Sequence, residues 1–236
     1  MKDALVQIDG VTKKYDSLTA VDNLSLTIDK GEVFALVGPN GAGKTTLIKM
    51  MVCLLKPDTG SIVVDGIDVD KNPMTAKSII GFLPENISLY GNLTAGENLR
   101  FFGDLNGGVS HSAIEESLAT VGLSDVMDKR VNEFSKGMKQ RLGLACMLVK
   151  KPRVLFLDEP TSGLDPSGKI YIQKLLKDLS GKGLTIFFSS HILGEVFKVA
   201  DRVGFINKAR LEHVGKVDSL KHLEDLYLKI TGDYVE

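Results

Sequence analysis

Between an all-apolar stretch, Val33-Phe34-Ala35-Leu36-Val37, and a helix-forming stretch from Thr46 to Leu55 lies Gly38-Pro39-Asn40-Gly41-Ala42-Gly43-Lys44-Thr45, and this junction constrains the rest of the chain. The eight residues fit the phosphate-binding pattern G-x-x-x-x-G-K-[ST]. A short run that is apolar at every position reads as a strand buried on both faces, so the loop joins a buried strand to a helix N-terminus. Glycines let the backbone curl until successive N–H groups face inward, and the aligned peptides of the helix add roughly half a positive charge at that end. The Lys44 ammonium suits β- and γ-phosphate oxygens, and the Thr45 hydroxyl suits a Mg²⁺ ion that bridges them. Nucleotide binding follows as the first expectation.

The 236 residues are enough to bury a substantial core, and 43% hydrophobic with 25% charged residues describes an ordinary globular composition. A net charge of −1 gives no electrostatic case for a nucleic-acid partner. The two cysteines, Cys53 and Cys146, lie in apolar helical patterns without metal or redox spacing. They read as reduced core residues, which suits a cytosolic setting. Met1-Lys2-Asp3 opens into alternating sequence with no signal-like apolar segment, and no run approaches a bilayer span, so any membrane role is expected to come through a partner.

Residues 4 to 37 alternate apolar and polar positions, among them Leu5, Ile8, Val11, Leu24, Leu26 and Ile28, with turns near Asp16-Ser17 and Asp29-Lys30-Gly31. They read as antiparallel strands. Tyr15, at the first turn, suits either packing or a platform for a planar base. Ser61–Gly66 reads as a strand and turn, and Ile79–Leu83 as a strand ending at Pro84-Glu85-Asn86, which makes Glu85 a loop carboxylate at a sheet edge. From Thr94 to Met147 the pattern is helical: Leu99, Phe102 and Leu105 share one face, and Ile114, Leu118 and Val121 another, with Gly107-Gly108 between. Ser135 is a good N-cap for a helix carrying Met138, Leu142, Ala145, Cys146 and Val149.

Val154–Leu157 reads as a strand that ends in Asp158-Glu159. Alternation along a strand makes the two carboxylates diverge, one toward a metal ion and one toward an attacking water. Pro166 opens a helix with Ile172, Leu175, Leu176 and Leu179 on its core face, and Leu184–Ser190 reads as another buried strand with His191 at its tip. Leu220, Leu223, Leu226, Tyr227 and Ile230 fall at helical spacing near the end.

Tyr15, the Gly38–Thr45 loop, Glu85, the Ser135-Lys136-Gly137-Met138-Lys139-Gln140-Arg141 segment, Asp158-Glu159, Ser162-Gly163-Leu164-Asp165 and His191 together resemble, in order, the ATP-binding subunits of ABC transporters. The resemblance implies an α/β fold: a phosphate-loop core with a mostly parallel sheet, an N-terminal antiparallel β subdomain and an inserted helical subdomain at about 86–150. All of 1–236 would be one ATPase domain, with a helical extension at about 218–232. It implies that Gly38, Pro39, Asn40, Gly41, Ala42, Gly43, Lys44, Thr45 and Thr46 hold ATP, that Tyr15 stacks on adenine, and that Thr45, Asp158 and Glu85 serve Mg²⁺. Glu159 would be the general base, His191 the contact to the γ-phosphate, and Asp165 part of the loop linking two subunits. Ser135 and Gly137 would cap the ATP held by another subunit, so that dimers close on ATP and open on hydrolysis.

The family's usual signature is Leu-Ser-Gly-Gly-Gln, and here Phe134, Lys136 and Met138 replace three of its five residues; Glu85 stands where glutamine is usual. Both features look like export-type subunits for drugs, antibiotics, lipids or sodium. The implied partners are a second ATP-binding subunit, like or unlike, and integral membrane permease subunits, with this chain peripheral on the inner face of the membrane. The alternatives are a soluble ABC-type ATPase of a cytosolic assembly and a slowly hydrolysing, nucleotide-gated regulatory protein.

Overall fold

Period-two alternation organises the first strands. In the computed structural model, which describes residues 3–105 and 107–232, β1 (Ala4–Tyr15) and β2 (Leu18–Asp29) form an antiparallel hairpin with Ile8 opposite Leu26. Met1 and Lys2, read above with the opening residues, lie outside the described part. The hairpin turns at Asp16, whose φ of +49° is one that aspartate tolerates better than most residues. β4 (Thr59–Val64) pairs with the other edge of β1, and the two-residue β5 (Ile67–Asp68) completes a sheet of order β2-β1-β4-β5.

β3 (Val33–Val37) leaves this sheet, contrary to the antiparallel reading of residues 4 to 37 as one set. All five of its side chains are buried, which an antiparallel sheet with a wet face cannot provide. It pairs in parallel with β8 (Thr185–Ser190) on one side and β9 (Arg202–Asn207) on the other. With β6 (Ile80–Leu83), β7 (Val154–Leu157) and β10 (Arg210–Lys216) the second sheet has the order β10-β9-β3-β8-β7-β6, parallel apart from β10. Alternate residues of its strands enter two cores. Ala35, Leu155, Leu157, Ile186 and Phe205 face a layer of helices, while Phe34, Leu36, Phe156, Phe187 and Ile206 face the first sheet and the loop helix. Phe34 and Phe187 stack with centroids 5.8 Å apart.

The loop helix, α1, runs Lys44–Met51, starting earlier and ending earlier than the expected Thr46–Leu55. Its end is set by Cys53, at φ +59°, after which the Leu54 and Leu55 N–H groups both return to the Lys49 carbonyl. Cys53 is thus half-buried past the helix rather than a core helix residue, whereas Cys146 is fully buried. α2 (Pro73–Ile79) has no counterpart in the sequence reading; Pro at N1 fits its start, but only Ala76 is buried, so it has almost no apolar stripe to show.

Between β6 and β7 lie α3 (Ala95–Asp104), α4 (His111–Thr120) and α5 (Lys136–Leu148), with two short 3-10 turns. Thr94 and Glu97 form a capping box on α3. Leu99, Ile114, Leu118 and Val121 are buried as their spacing predicts, but Leu105 is 67% exposed because α3 stops at Asp104. α6 (Pro166–Gly181) buries Ile172, Leu175, Leu176 and Leu179, and α7 (Leu193–Val199) packs on it. α8 (Leu220–Thr231) rests on α7 and β9 through Leu223, as the terminal helical spacing predicts. Among the described residues no helix is long and apolar enough to cross a membrane.

Candidate active site

Parallel strands deliver their C-terminal ends to one edge, and that edge collects the chemistry. β3 runs into Gly38, β6 into Glu85, β7 into Asp158 and Glu159, and β8 into His191. The Gly38–Thr45 loop is pinned by its glycines. A Cβ on Gly38 would fall 2.2 Å from the Ile206 carbonyl oxygen, and one on Gly43, where φ is +112°, would fall 2.2 Å from that of Ala20. The loop is therefore wedged between β9 and β2. No described side chain caps the start of α1, so its first N–H groups face the cleft, as an anion site requires. Lys44 is buried, and its ammonium donates to the Gly38 and Pro39 carbonyls at 2.6 and 3.2 Å.

Two carboxylates reach this loop by different routes. Asp158 accepts from the Thr45 hydroxyl at 2.8 Å and from the Ser189 hydroxyl at 2.7 Å. Glu159 lies 3.6 Å from Lys44 Nζ and 3.0 Å from His191 Nδ1. They diverge as expected, but strand alternation is not the cause. β7 stops at Leu157, and Glu159 has φ +48°, a left-handed conformation that is strained for a non-glycine residue. The Glu159 N–H is tied to the Ser189 hydroxyl at 2.9 Å, so Ser189 holds both acidic residues. Glu85 lines the same cleft and accepts from the Ser162 hydroxyl at 3.2 Å.

The cleft, about 370 Å³, is walled by Tyr15, Pro39, Asn40, Gly41, Ala42, Gly43, Lys44, Thr45 and Thr46, with Glu85, Glu159 and His191 opposite. Tyr15 is 45% exposed at the cleft mouth, an open ring rather than a packed one. Leu18, Thr19 and Ala20 from the start of β2 complete the wall. A second cleft, about 350 Å³, gathers Ser135, Gly137, Met138, Arg141, Asp165 and Tyr171 instead. There the Ser135 hydroxyl caps α5 by accepting from Met138 N–H, and Asp165 caps α6 by accepting from Gly168 N–H. The Ser167 hydroxyl donates to Asp165 and holds its carboxyl below the usual range.

Residues 21–162, more than half of the chain, match the family model described as ABC transporter. A lantibiotic transport ATP-binding protein of Streptococcus pyogenes is 39% identical over 94% of this chain and 96% of its own length. The chain belongs to the ABC transporter family of ATP-binding subunits. A bacitracin transport ATP-binding protein of Enterococcus faecalis is 41% identical over 88% of this chain and 68% of its own length. Among solved structures, a dimeric ATP-binding cassette in a post-hydrolysis state bound to ADP and Pi superposes with a TM-score of 0.82 at 27% identity, covering 91% of this chain and 99% of that one.

As an ABC ATPase the chain binds and hydrolyses ATP, and its fold is the expected α/β core with antiparallel and helical additions. The residues expected to serve the nucleotide separate into two groups within this one chain. Tyr15, the loop, Thr46, Glu85, Asp158, Glu159 and His191 come together, while Ser135, Gly137 and Asp165 form the other cleft. Sequence reasoning missed Ser189, which ties Asp158 to Glu159; its signal was a buried hydroxyl at the C-terminal end of β8, beside the Asp158-Glu159 strand. It also missed the buried Gln140, which donates to the Pro160 carbonyl at 2.9 Å, and the buried pair Thr161 and Glu195.

Proposed function

We propose that this ABC ATPase is the motor of an export-type transporter, a single cassette over 1–236 that pairs with a second ATP-binding subunit and drives a separate membrane-spanning partner. The observation that carries the reading is the convergence of Thr45 with Asp158, and of Lys44 with Glu159 and His191, at one sheet edge. Relatives named for bacitracin and lantibiotic transport support the export assignment, and with it a location peripheral to the inner face of the membrane.

In this reading the loop N–H groups and Lys44 bind the β- and γ-phosphates, and Tyr15 stacks on the adenine. Thr45 and Asp158 offer hard oxygen donors 2.8 Å apart, which fits Mg²⁺, an ion commonly held by one or two protein ligands together with phosphate oxygens and water. Bound there, it would neutralise charge developing on the phosphates. Glu85 lines the cleft nearby. Glu159 accepts the proton of the attacking water, and the ring of His191, hydrogen bonded to Glu159, orients that carboxylate and faces the γ-phosphate. Ser135 and Gly137 act on the ATP held by the other subunit, and Asp165 lies in the loop between the two. Catalysis here is positioning and electrostatics, with no covalent intermediate on the protein.

Glu159→Gln tests the assignment. Turnover should fall by about 10² to 10⁴, the range of a lost general base, while ATP affinity is retained. A variant that hydrolyses at the parental rate would remove Glu159 from the reaction. Purification from membranes tests the transporter reading, because a multi-span protein should accompany the chain; a complex of soluble proteins alone would contradict it.

A further inference from the structure

The turn after Glu159 is gripped by two helices, and a third holds one of the gripping side chains. Gln140 on α5 donates to the Pro160 carbonyl, and the Thr161 hydroxyl donates to Glu195 Oε2 on α7. The other Glu195 oxygen lies 3.0 Å from Lys169 Nζ on α6. Glu195 is only 7% exposed. Lys169 is partly exposed, so the buried group is the Glu195 carboxylate, and burying a charge rarely stabilises a fold beyond what an apolar side chain of similar size would do; stability alone is a weak reason for it.

A better reason lies in what the two ends of the contact carry. Thr161 is two residues past Glu159, and the Ser162 N–H closes the turn on the Glu159 carbonyl at 3.0 Å. Glu195 is one helical turn past His191, and its own N–H returns to the Ile192 carbonyl at 3.0 Å. The His191 side chain is 48% exposed, so packing alone does not fix its ring, and Glu159 sits in a strained backbone conformation. A pair built from one loosely packed side chain and one strained residue needs its two backbones held together from outside.

We propose that Glu195 is a positioning residue for ATP hydrolysis. By accepting from Thr161 it clamps the helix that follows His191 to the turn that follows Glu159, and so sets the geometry of the Glu159–His191 pair. Lys169 balances the charge of the clamp. Glu195 itself touches neither the nucleotide nor the attacking water. The inference rests on the roles given above to Glu159 and His191.

The test measures kcat, KM for ATP and thermal midpoint for Glu195→Ala, Glu195→Gln and Thr161→Val in the full chain, each alone and combined with His191→Ala. Single-turnover conditions keep the slow variants measurable. Glu195→Ala and Thr161→Val should lower kcat by about 10²-fold, the cost of a displacement on the order of 1 Å, with KM shifting no more than about twofold. Glu195→Gln keeps an acceptor for Thr161 and should restore most of kcat. In the His191→Ala background the same substitutions should cost nothing further, because the pair they position is already gone. Parental kcat in Thr161→Val and Glu195→Ala would overturn the proposal, and so would losses of equal size with and without His191. Thr161→Val, which conserves shape, decides the matter if Glu195→Ala does not fold. Glu159→Gln and His191→Ala run as controls: turnover surviving in both refutes the site assignment, whereas turnover lost in both but kept in the Glu195 and Thr161 variants refutes the clamp alone.

Discussion

The two clefts of this chain are built to opposite rules. Around Lys44 the polar groups bond across elements: Thr45 to Asp158, Ser189 to Asp158, His191 to Glu159. Around Ser135 the hydroxyl and carboxyl groups bond within their own helix turns, Ser135 capping α5 and Asp165 capping α6, while Arg141 reaches out of the cleft to the Val121 and Gly122 carbonyls. The glycines differ in the same way. Gly43 is required by the chain itself, because a Cβ there would strike Ala20, whereas a Cβ on Gly137 would meet nothing within 4 Å. The first cleft is an internally wired site. The second is a surface whose Gly137 has no packing reason inside the chain.

That contrast can be broken by substitution. The largest effect is expected for Lys44→Ala, which removes a buried cation from the wired side. ATP affinity and turnover should both fall by about 10²-fold or more, read by equilibrium nucleotide binding and phosphate release. Parental affinity would mean that the loop does not bind phosphate through Lys44. Gly137→Val should leave the thermal midpoint within a few degrees and leave ATP binding to the isolated chain unchanged, yet cut turnover by at least about tenfold. A large fall in midpoint would make Gly137 a packing residue after all and erase the distinction between the clefts.

The loop, the buried strand before it, the two acidic residues, the cap at Ser135 and the helix start at Pro166 were legible because each is written in adjacent residues. What escaped depends on groups far apart in sequence. Ser189 lies 30 residues from Glu159, and Thr161 lies 34 from Glu195. Hydrophobic periodicity carries no sign of which distant hydroxyl will meet which carboxylate. The left-handed turn at Glu159 escaped for another reason: it opposes local backbone preference and is imposed by the structure around it. The departure of β3 from the antiparallel sheet was present in its all-apolar composition, which reads as a strand buried on both faces, but the alternation of the residues before it drew it into one antiparallel set.

The smallest effect sharpens the surface side of the comparison. The Ser167 hydroxyl holds the Asp165 carboxyl below its ordinary value. A depressed carboxyl stabilises the fold above its unfolded pKa of about 4, and loses that contribution as pH falls through the lower folded value. Asp165→Asn keeps a helix cap while removing the charge. Its denaturation midpoint should lie slightly below the parent's at pH 7, and the two should converge in strong acid; a gap that widens on acidification would contradict the assignment.

The central claim, that nucleotide held in the wired cleft is closed over by the Ser135 face of a second subunit, is tested most directly by sedimentation of Glu159→Gln with Mg²⁺ and saturating ATP. The account predicts that this variant shifts from monomer to dimer on adding ATP, and that adding Gly137→Val keeps it monomeric although ATP remains bound. Dimerisation that is unaffected by Gly137→Val, or a Glu159→Gln chain that stays monomeric with ATP bound, would contradict it.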